Sequence, residues 1–439
     1  MQDSTQVSKA RAWAGTLIAN ILIVAIGFAT GILAARGLQP DGRGMLAALI
    51  FWPQLIASVG FFSLSDAIVV CRGKHDLSTP RLNGAALLIS ALLCVGTISL
   101  GYPVVLQLLG HNRGIDIGLA SQYFIAYVPL SFVSLTILAV DQSDLRFKRF
   151  NLFRLLPSII YLAVLIYLWV AHAFTVSACL WANLLAAAVS ALVVIALRIN
   201  EPHAFPHRQH LMQLLGQAAR IHMHSLLFLL GMHADRAVAL ASFGNWESGI
   251  YIVAWSVAST TMGVLNTAFA MVTLPFAARY VPHGNNTGRN FTKAIRQAVL
   301  ITSTVLVAAL VLNPFVTPIL FGASFTTAVM PCAVLLVAYG VNVVRQVIIS
   351  TLKGLQDNVP GVASELTSLA TFAMTCVPLA NAIGMIGIAI ALVLGNCFGL
   401  CALAFYLRRK YEISFKDCNG FTPATLWEIA QSARTAILK

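Results

Sequence analysis

Apolar residues run in long blocks separated by short polar clusters, from one end of the chain to the other. A helix rises about 1.5 Å per residue, so roughly 20 consecutive apolar residues cross the hydrocarbon core of a bilayer. Blocks of that length fall at residues 13–35, 44–70, 83–108, 118–140, 151–170, 175–197, 217–241, 249–277, 294–316, 326–350, 361–379 and 384–407. The pattern predicts an all-α membrane protein with twelve transmembrane helices.

Composition agrees, with 59% hydrophobic and 10% charged residues, where soluble domains carry about 25% charged. The basic residues test the span count independently, because Lys and Arg accumulate in cytoplasmic loops. With the N-terminus inside, 24 of the 28 Lys and Arg fall on the cytoplasmic side. Arg36, Arg43 and Arg113 fall outside, and Arg236 lies within a span. Both termini are therefore expected in the cytoplasm, and the net charge of +13 follows from topology. No basic stripe interleaved with aromatics points to nucleic acid.

Lys9 and Arg11 ahead of an apolar run imitate a signal peptide, but the run is too long for one and reads as the first helix. Seven of the eight cysteines lie in or at the ends of apolar blocks, without CxxC spacing, so no disulfide framework is expected. His203, His207 and His210 are interrupted by Pro206 and lack a supporting carboxylate or thiol, so no metal site or cofactor is expected. No P-loop or catalytic triad is present. The outer loops are too short to hold a catalytic domain, which argues against a glycan-processing enzyme.

The longest internal connection divides the chain into a six-helix lobe at 1–198, an elbow at 199–217, a second six-helix lobe at 218–410 and an amphipathic tail at 411–439. An even number of spans per half makes the two lobes parallel repeats around a central cavity. The turns between the first two spans of each half look alike. Residues Gly37-Leu38-Gln39-Pro40-Asp41-Gly42-Arg43-Gly44 serve one, and Gly244-Asn245-Trp246-Glu247-Ser248-Gly249 the other. Each carries an acidic residue and a glycine opening the next helix, read as helix-start chemistry.

Within the span 217–241 stands Asp235-Arg236. Ionisable groups in hydrocarbon are costly and face protein or a water-filled cavity, so the pair marks the path of something polar. At about 100° per residue His222, His233 and Arg236 share one side of this helix, while Asp235 shares another with Arg220, His224 and Gly231.

Ala34-Ala35-Arg36-Gly37-Leu38-Gln39-Pro40-Asp41-Gly42-Arg43-Gly44 resembles the turn AR-x-LGP-x-G-x-G of polysaccharide transporters of the O-antigen flippase type, in the multidrug/oligosaccharidyl-lipid/polysaccharide exporter superfamily. Gln39 stands where that family usually has glycine. Arg146-Phe147-Lys148, Ala234-Asp235-Arg236, Glu247-Ser248-Gly249-Ile250-Tyr251 and Gly384-Met385-Ile386-Gly387 agree with it in order and spacing. The resemblance implies a flippase for a polyprenyl-diphosphate-linked glycan in the bacterial inner membrane, supplying O-antigen, capsule or exopolysaccharide. It implies a functional monomer working beside a polysaccharide polymerase and chain-length machinery.

Such a cargo needs cations for its diphosphate and neutral polar groups for its sugars. Arg236, Asp235, His233, His222, Arg43, Asn20 and Asn266 are the candidate substrate contacts, with Asn342 and Asn396 as further groups along the glycan path. Asp66, Arg345 and Glu365 near the cytoplasmic side, and Arg36 and Glu247 on the outer side, are candidates for gating or coupling, with H+ or Na+ as coupling ion. Packing and interfacial snorkelling are the competing roles for each. A cation-coupled multidrug exporter of the same superfamily is the alternative function.

Overall fold

The computed structural model describes residues 2–74, 79–110, 114–198, 204–280, 287–413 and 418. Arg113, His203, Asn285 and the tail from Thr422 lie outside the described residues. The described chain is helical throughout: α1 (Gln2–Gly60), α2 (Leu64–Lys74), α3 (Thr79–Gly110), α4 (Ile117–Ser143), α5 (Phe147–Val170), α6 (Val176–Ala196), α7 (Arg208–Ser242), α8 (Asn245–Tyr280), α9 (Thr287–Phe321), α10 (Val329–Gly354), α11 (Val359–Ile383) and α12 (Met385–Tyr411), with a 3-10 turn at Ala323–Ala328. Among the described residues eleven stretches are long and apolar enough to cross a membrane. Large apolar side chains such as Leu92, Leu100, Val311 and Phe405 stay exposed on them, as lipid-facing residues do. The chain is a multi-pass membrane protein.

The first apolar stretch, Gly15–Gly73, is 59 residues long, far beyond one bilayer crossing. Helical geometry runs through the turn expected between the first two spans except at Gln39, with φ 58° and ψ 177°. That region belongs to glycine and costs a side-chain-bearing residue about 1–3 kcal/mol. The family's glycine is thus replaced where the backbone asks for it, and the Gln39 Nε2 bond to the Arg36 carbonyl at 3.0 Å offsets part of the cost. Gln39→Gly is expected to stabilise the protein by about 1 kcal/mol, read as a higher melting temperature in detergent. Gln39→Val, with a branched Cβ, is expected to lower it.

The span predicted as continuous over 44–70 requires correction. It breaks at residues 61–63, where Phe62 and Ser63 take φ values of 54° and 53°. Asp66 therefore stands exposed in the first turn of α2, where a carboxylate favours the positive end of the helix dipole. Two connections expected on the outer side are short. Five residues join α5 to α6, with Thr175 capping the Ala178 amide, and Gly384 alone, at φ 65°, joins α11 to α12.

Two compact units result, one of residues 1–229 and 240–250, the other of 230–239 and 251–439. In unit 1, α1 packs on α3, α4, α5 and α6, and α4 also meets α2, α3 and α6. Asp141 of α4, fully buried, accepts from Arg198 Nη2 at 2.7 Å. Breaking such a pair from one side costs about 3–5 kcal/mol because the remaining charge is stranded.

In unit 2, α12 packs on α10 and α11. Gly395 and Gly399 let the α11 backbone approach closely, since a Cβ would lie 2.7 Å from the Ser368 carbonyl oxygen and 2.9 Å from that of Ser364. At one end of these helices, Asp357 accepts from Tyr406 Oη at 2.6 Å and Lys410 Nζ at 2.7 Å, tying the α10–α11 turn to α12.

Candidate functional site

Adjacent residues on a helix diverge by about 100°, so Asp235 and Arg236 point to different surroundings. Asp235, 1% exposed, accepts from the hydroxyl of the fully buried Tyr251 at 3.2 Å. The Arg236 guanidinium lies 3.9 Å from the centroid of the Trp255 ring, and its Nη2 donates to the Met232 carbonyl at 3.1 Å. Tyr251 and Trp255 stand four residues apart on α8, on one face, so a single helix face receives both members of the charged pair.

Arg236 Nη2 also donates to His233 Nδ1 at 2.7 Å. A guanidinium can only donate, so Nδ1 accepts and Nε2 carries the ring proton. Trp255 Nε1 donates to Tyr339 Oη at 2.7 Å, anchoring the indole to α10. The result is a half-buried cation laid on a braced aromatic plate inside a membrane-spanning helix. Such contacts are worth about 2 kcal/mol when desolvated, and they engage the face of the guanidinium while its N–H donors lie in the plane of its edge.

Asp235 and Gly231 share a face of α7, as expected from their spacing. A Cβ on Gly231 would lie 3.8 Å from Glu365 Oε2. Glu365 is held there by Arg345 Nη2 at 3.0 Å and Gln346 Nε2 at 2.9 Å. Arg345 is buried and also donates to Asn342 Oδ1 at 2.9 Å. Asn396 donates to the Ala338 carbonyl at 3.1 Å and accepts from Ser368 at 3.4 Å. Asn342 and Asn396 are thereby engaged in packing within unit 2.

In unit 1, His222 of α7 meets Ser63 Oγ at 3.3 Å and stacks on Phe62 at 4.2 Å between centroids. It serves the break after α1, whereas His233 serves Arg236. Arg43 enters a polar cluster that sequence reasoning missed. Its electrostatic neighbours are Tyr161 and Cys179. Tyr123 beside them donates to Asn183 Oδ1 at 2.7 Å and stacks on Tyr127 at 5.5 Å. Among the described residues Arg43 Nε and Asn20 Oδ1 are buried without a hydrogen-bond partner.

Asn266 is half-buried on α8, Arg36 is exposed, and Glu247 occupies the first turn of α8 with its carboxylate toward Gly244. The missed residues are aromatic: Trp255, Tyr339, Tyr123, Tyr127 and Tyr161. Four-residue spacing in Tyr123/Tyr127 and Tyr251/Trp255 was the available signal, indistinguishable in sequence from ordinary core packing.

The sequence matches the model of a family described as polysaccharide biosynthesis protein over residues 32–330. Among curated proteins none matches. The fold is similar to the lipid II flippase MurJ in an inward closed conformation, at 14% identity over 92% of this chain and 88% of that one, with a TM-score of 0.74. It is also similar to an inward-facing multidrug resistance MATE family transporter of the MOP superfamily, at 17% identity over 88% and 94%, with a TM-score of 0.71. A MOP superfamily transporter from Pyrococcus furiosus matches at 16% identity over 91% and 95%, with a TM-score of 0.60. At such identities the likeness is one of fold.

Proposed function

Because the chain belongs to the polysaccharide biosynthesis protein family, we propose that it is a flippase that moves a polyprenyl-diphosphate-linked oligosaccharide from the inner to the outer leaflet of the bacterial inner membrane. The observation that carries this reading is Arg236, a cation held on Trp255 within the span and steadied by His233. A diphosphate cannot cross hydrocarbon unaided, whereas its polyprenyl tail can stay in the lipid. The protein therefore has to shelter a polar head, and a guanidinium offers the paired N–H donors that phosphate oxygens accept. Tyrosines such as those around Arg43 present flat apolar faces and hydroxyls, which suit sugar rings.

In this reading Gln39 divides the first apolar stretch into two crossings, which brings the total to twelve, in two six-helix lobes around a central cavity, with both termini cytoplasmic. The protein works as a monomer by alternating access, driven by an H+ or Na+ gradient, and feeds a polymerase and chain-length machinery that build O-antigen, capsule or exopolysaccharide. Asp66, Arg345 and Glu365 form an inner layer of gating charges, and Arg36 and Glu247 an outer one.

A second reading, a cation-coupled multidrug exporter, is favoured by the buried Asp235 carboxylate and by the MATE-like fold. Arg236 next to it repels the cationic drugs such a carrier takes, which is why the flippase reading comes first. The test is deletion followed by leaflet-resolved detection of the glycan-linked polyprenyl diphosphate. The intermediate is expected to accumulate on the inner leaflet. Arrival outside at the normal rate, in a strain without a redundant transporter, would refute the flippase and leave the exporter to be tested by drug sensitivity.

A further inference from the structure

Arg43 is a cation of unit 1 whose charge no acid answers. It lies about one turn beyond Gln39 in α1, and its electrostatic neighbours are Tyr161 of α5 and Cys179 of α6, neither of them a carboxylate. Among the described residues none of its nitrogens has a hydrogen-bond or ion-pair partner. Arg198 in the same unit is different, because Asp141 matches it at 2.7 Å. The Arg43 Nε is enclosed, whereas the Nη edge of this half-buried side chain stays accessible. Tyr161 repeats the pattern. It is half-buried with the guanidinium as its electrostatic neighbour, and its hydroxyl makes no hydrogen bond among the described residues. The nearby Tyr123 hydroxyl is committed to Asn183 and Gln54.

These groups gather toward the end of unit 1 where α5 gives way to α6, since Cys179 stands in the first turn of α6 and Tyr161 in the second half of α5. The turn around Gln39 packs down on that connection. A Cβ on Gly37 would run into the Phe174 ring, and one on Gly42 would lie 3.4 Å from a Val176 methyl. A guanidinium taken out of water is costly without a counter-charge. Its Nη–H groups and the Tyr161 O–H are all donors, so an acceptor with negative charge completes the set. One monovalent anion neutralises one guanidinium, whereas a doubly charged phosphate leaves an excess charge in the same interior. The close packing of the turn on the α5–α6 connection favours a bare ion over a sugar acid, whose ring has to enter with its carboxylate.

We propose that Arg43 and Tyr161 hold a single chloride ion within unit 1, the guanidinium donating through its Nη–H groups and the tyrosine through its hydroxyl. The ion neutralises Arg43 and ties the turn around Gln39 to α5 and α6. The proposal stands apart from the transport reading and holds whichever cargo the protein carries.

The test is the melting temperature of the full chain in detergent, with potassium chloride titrated against potassium isethionate, a bulky monovalent anion, at constant ionic strength. Saturating chloride is expected to raise the wild-type melting temperature by about 2–4 °C, and bromide to act likewise. Arg43→Gln is expected to melt at one temperature in either salt, and Tyr161→Phe to need about tenfold more chloride for the same gain. Arg208→Gln, which removes an exposed cation elsewhere in unit 1, is expected to respond as wild type does. No gain of chloride over isethionate in wild type, or an unchanged gain in whichever of the two site variants folds, would overturn the site. An equal gain from glucuronate would overturn it too, by assigning the donors to a sugar carboxylate. Should both variants unfold, bromide anomalous scattering from wild-type crystals decides: a peak at the Arg43 Nη edge supports the site, and its absence there overturns it.

Discussion

Replacing Arg236 by alanine is expected to abolish outward movement of the lipid-linked glycan while insertion and abundance stay at wild-type levels. The side chain does little for packing that alanine cannot spare. It is half-buried, it bonds to Met232 and His233 of its own helix, and its aromatic partner Trp255 keeps its own anchor on Tyr339. What alanine removes is the cation. Truncating one partner of a desolvated charge pair costs about 2–5 kcal/mol, which is roughly 30-fold to several thousandfold in rate if the contact is made during transport. Arg236→Lys is expected to retain part of the activity, because an ammonium also lies favourably over an indole but loses the planar fork for phosphate. Leaflet-resolved detection in cells carrying each variant at matched abundance is the measurement. Full activity in Arg236→Ala would reduce the residue to scaffolding.

The charged pair was legible in the sequence because hydrocarbon makes any ionisable group conspicuous, and 3.6-residue periodicity placed Gly231 and Asp235 on one face, and His233 with Arg236 on another. The partners were not legible. Trp255 and Tyr339 are common residues in a 59% hydrophobic chain, and nothing in their local pattern separates an aromatic plate under a cation from a core side chain. The long apolar helices followed from composition and length, since each must satisfy its own backbone in lipid. The turn around Gln39 was legible from its glycines and proline, but the break at 61–63 was not. Phe62 and Ser63 adopt positive φ without glycine, so the usual signal for such a conformation was missing and the span 44–70 looked continuous.

Glycines 44 and 249 were read as helix-start residues, and the structure gives them a different task. A Cβ on Gly44 would overlap the Asn245 carbonyl oxygen and approach the Gly249 nitrogen to 2.8 Å, and a Cβ on Gly249 would overlap the Pro40 carbonyl oxygen. The two similar turns thus touch backbone to backbone within unit 1, each through its glycine. Backbone atoms cannot swing aside as a side-chain tip can, so a single methyl forces the two chain segments apart. Overpacking in a well-packed region costs typically about 1–3 kcal/mol, and more where the neighbours are rigid. Gly44→Ala and Gly249→Ala are each expected to lower the melting temperature in detergent and to cut transport by about tenfold or more. Gly96→Ala supplies the contrast. It lies in the middle of α3 with open space where its Cβ would go, so alanine's better helix propensity, about 1 kcal/mol, should leave stability equal or higher and transport unchanged. If Gly44→Ala and Gly249→Ala behave like Gly96→Ala in both measurements, the two turns do not meet in the working protein, and their similarity in sequence reflects helix starts alone.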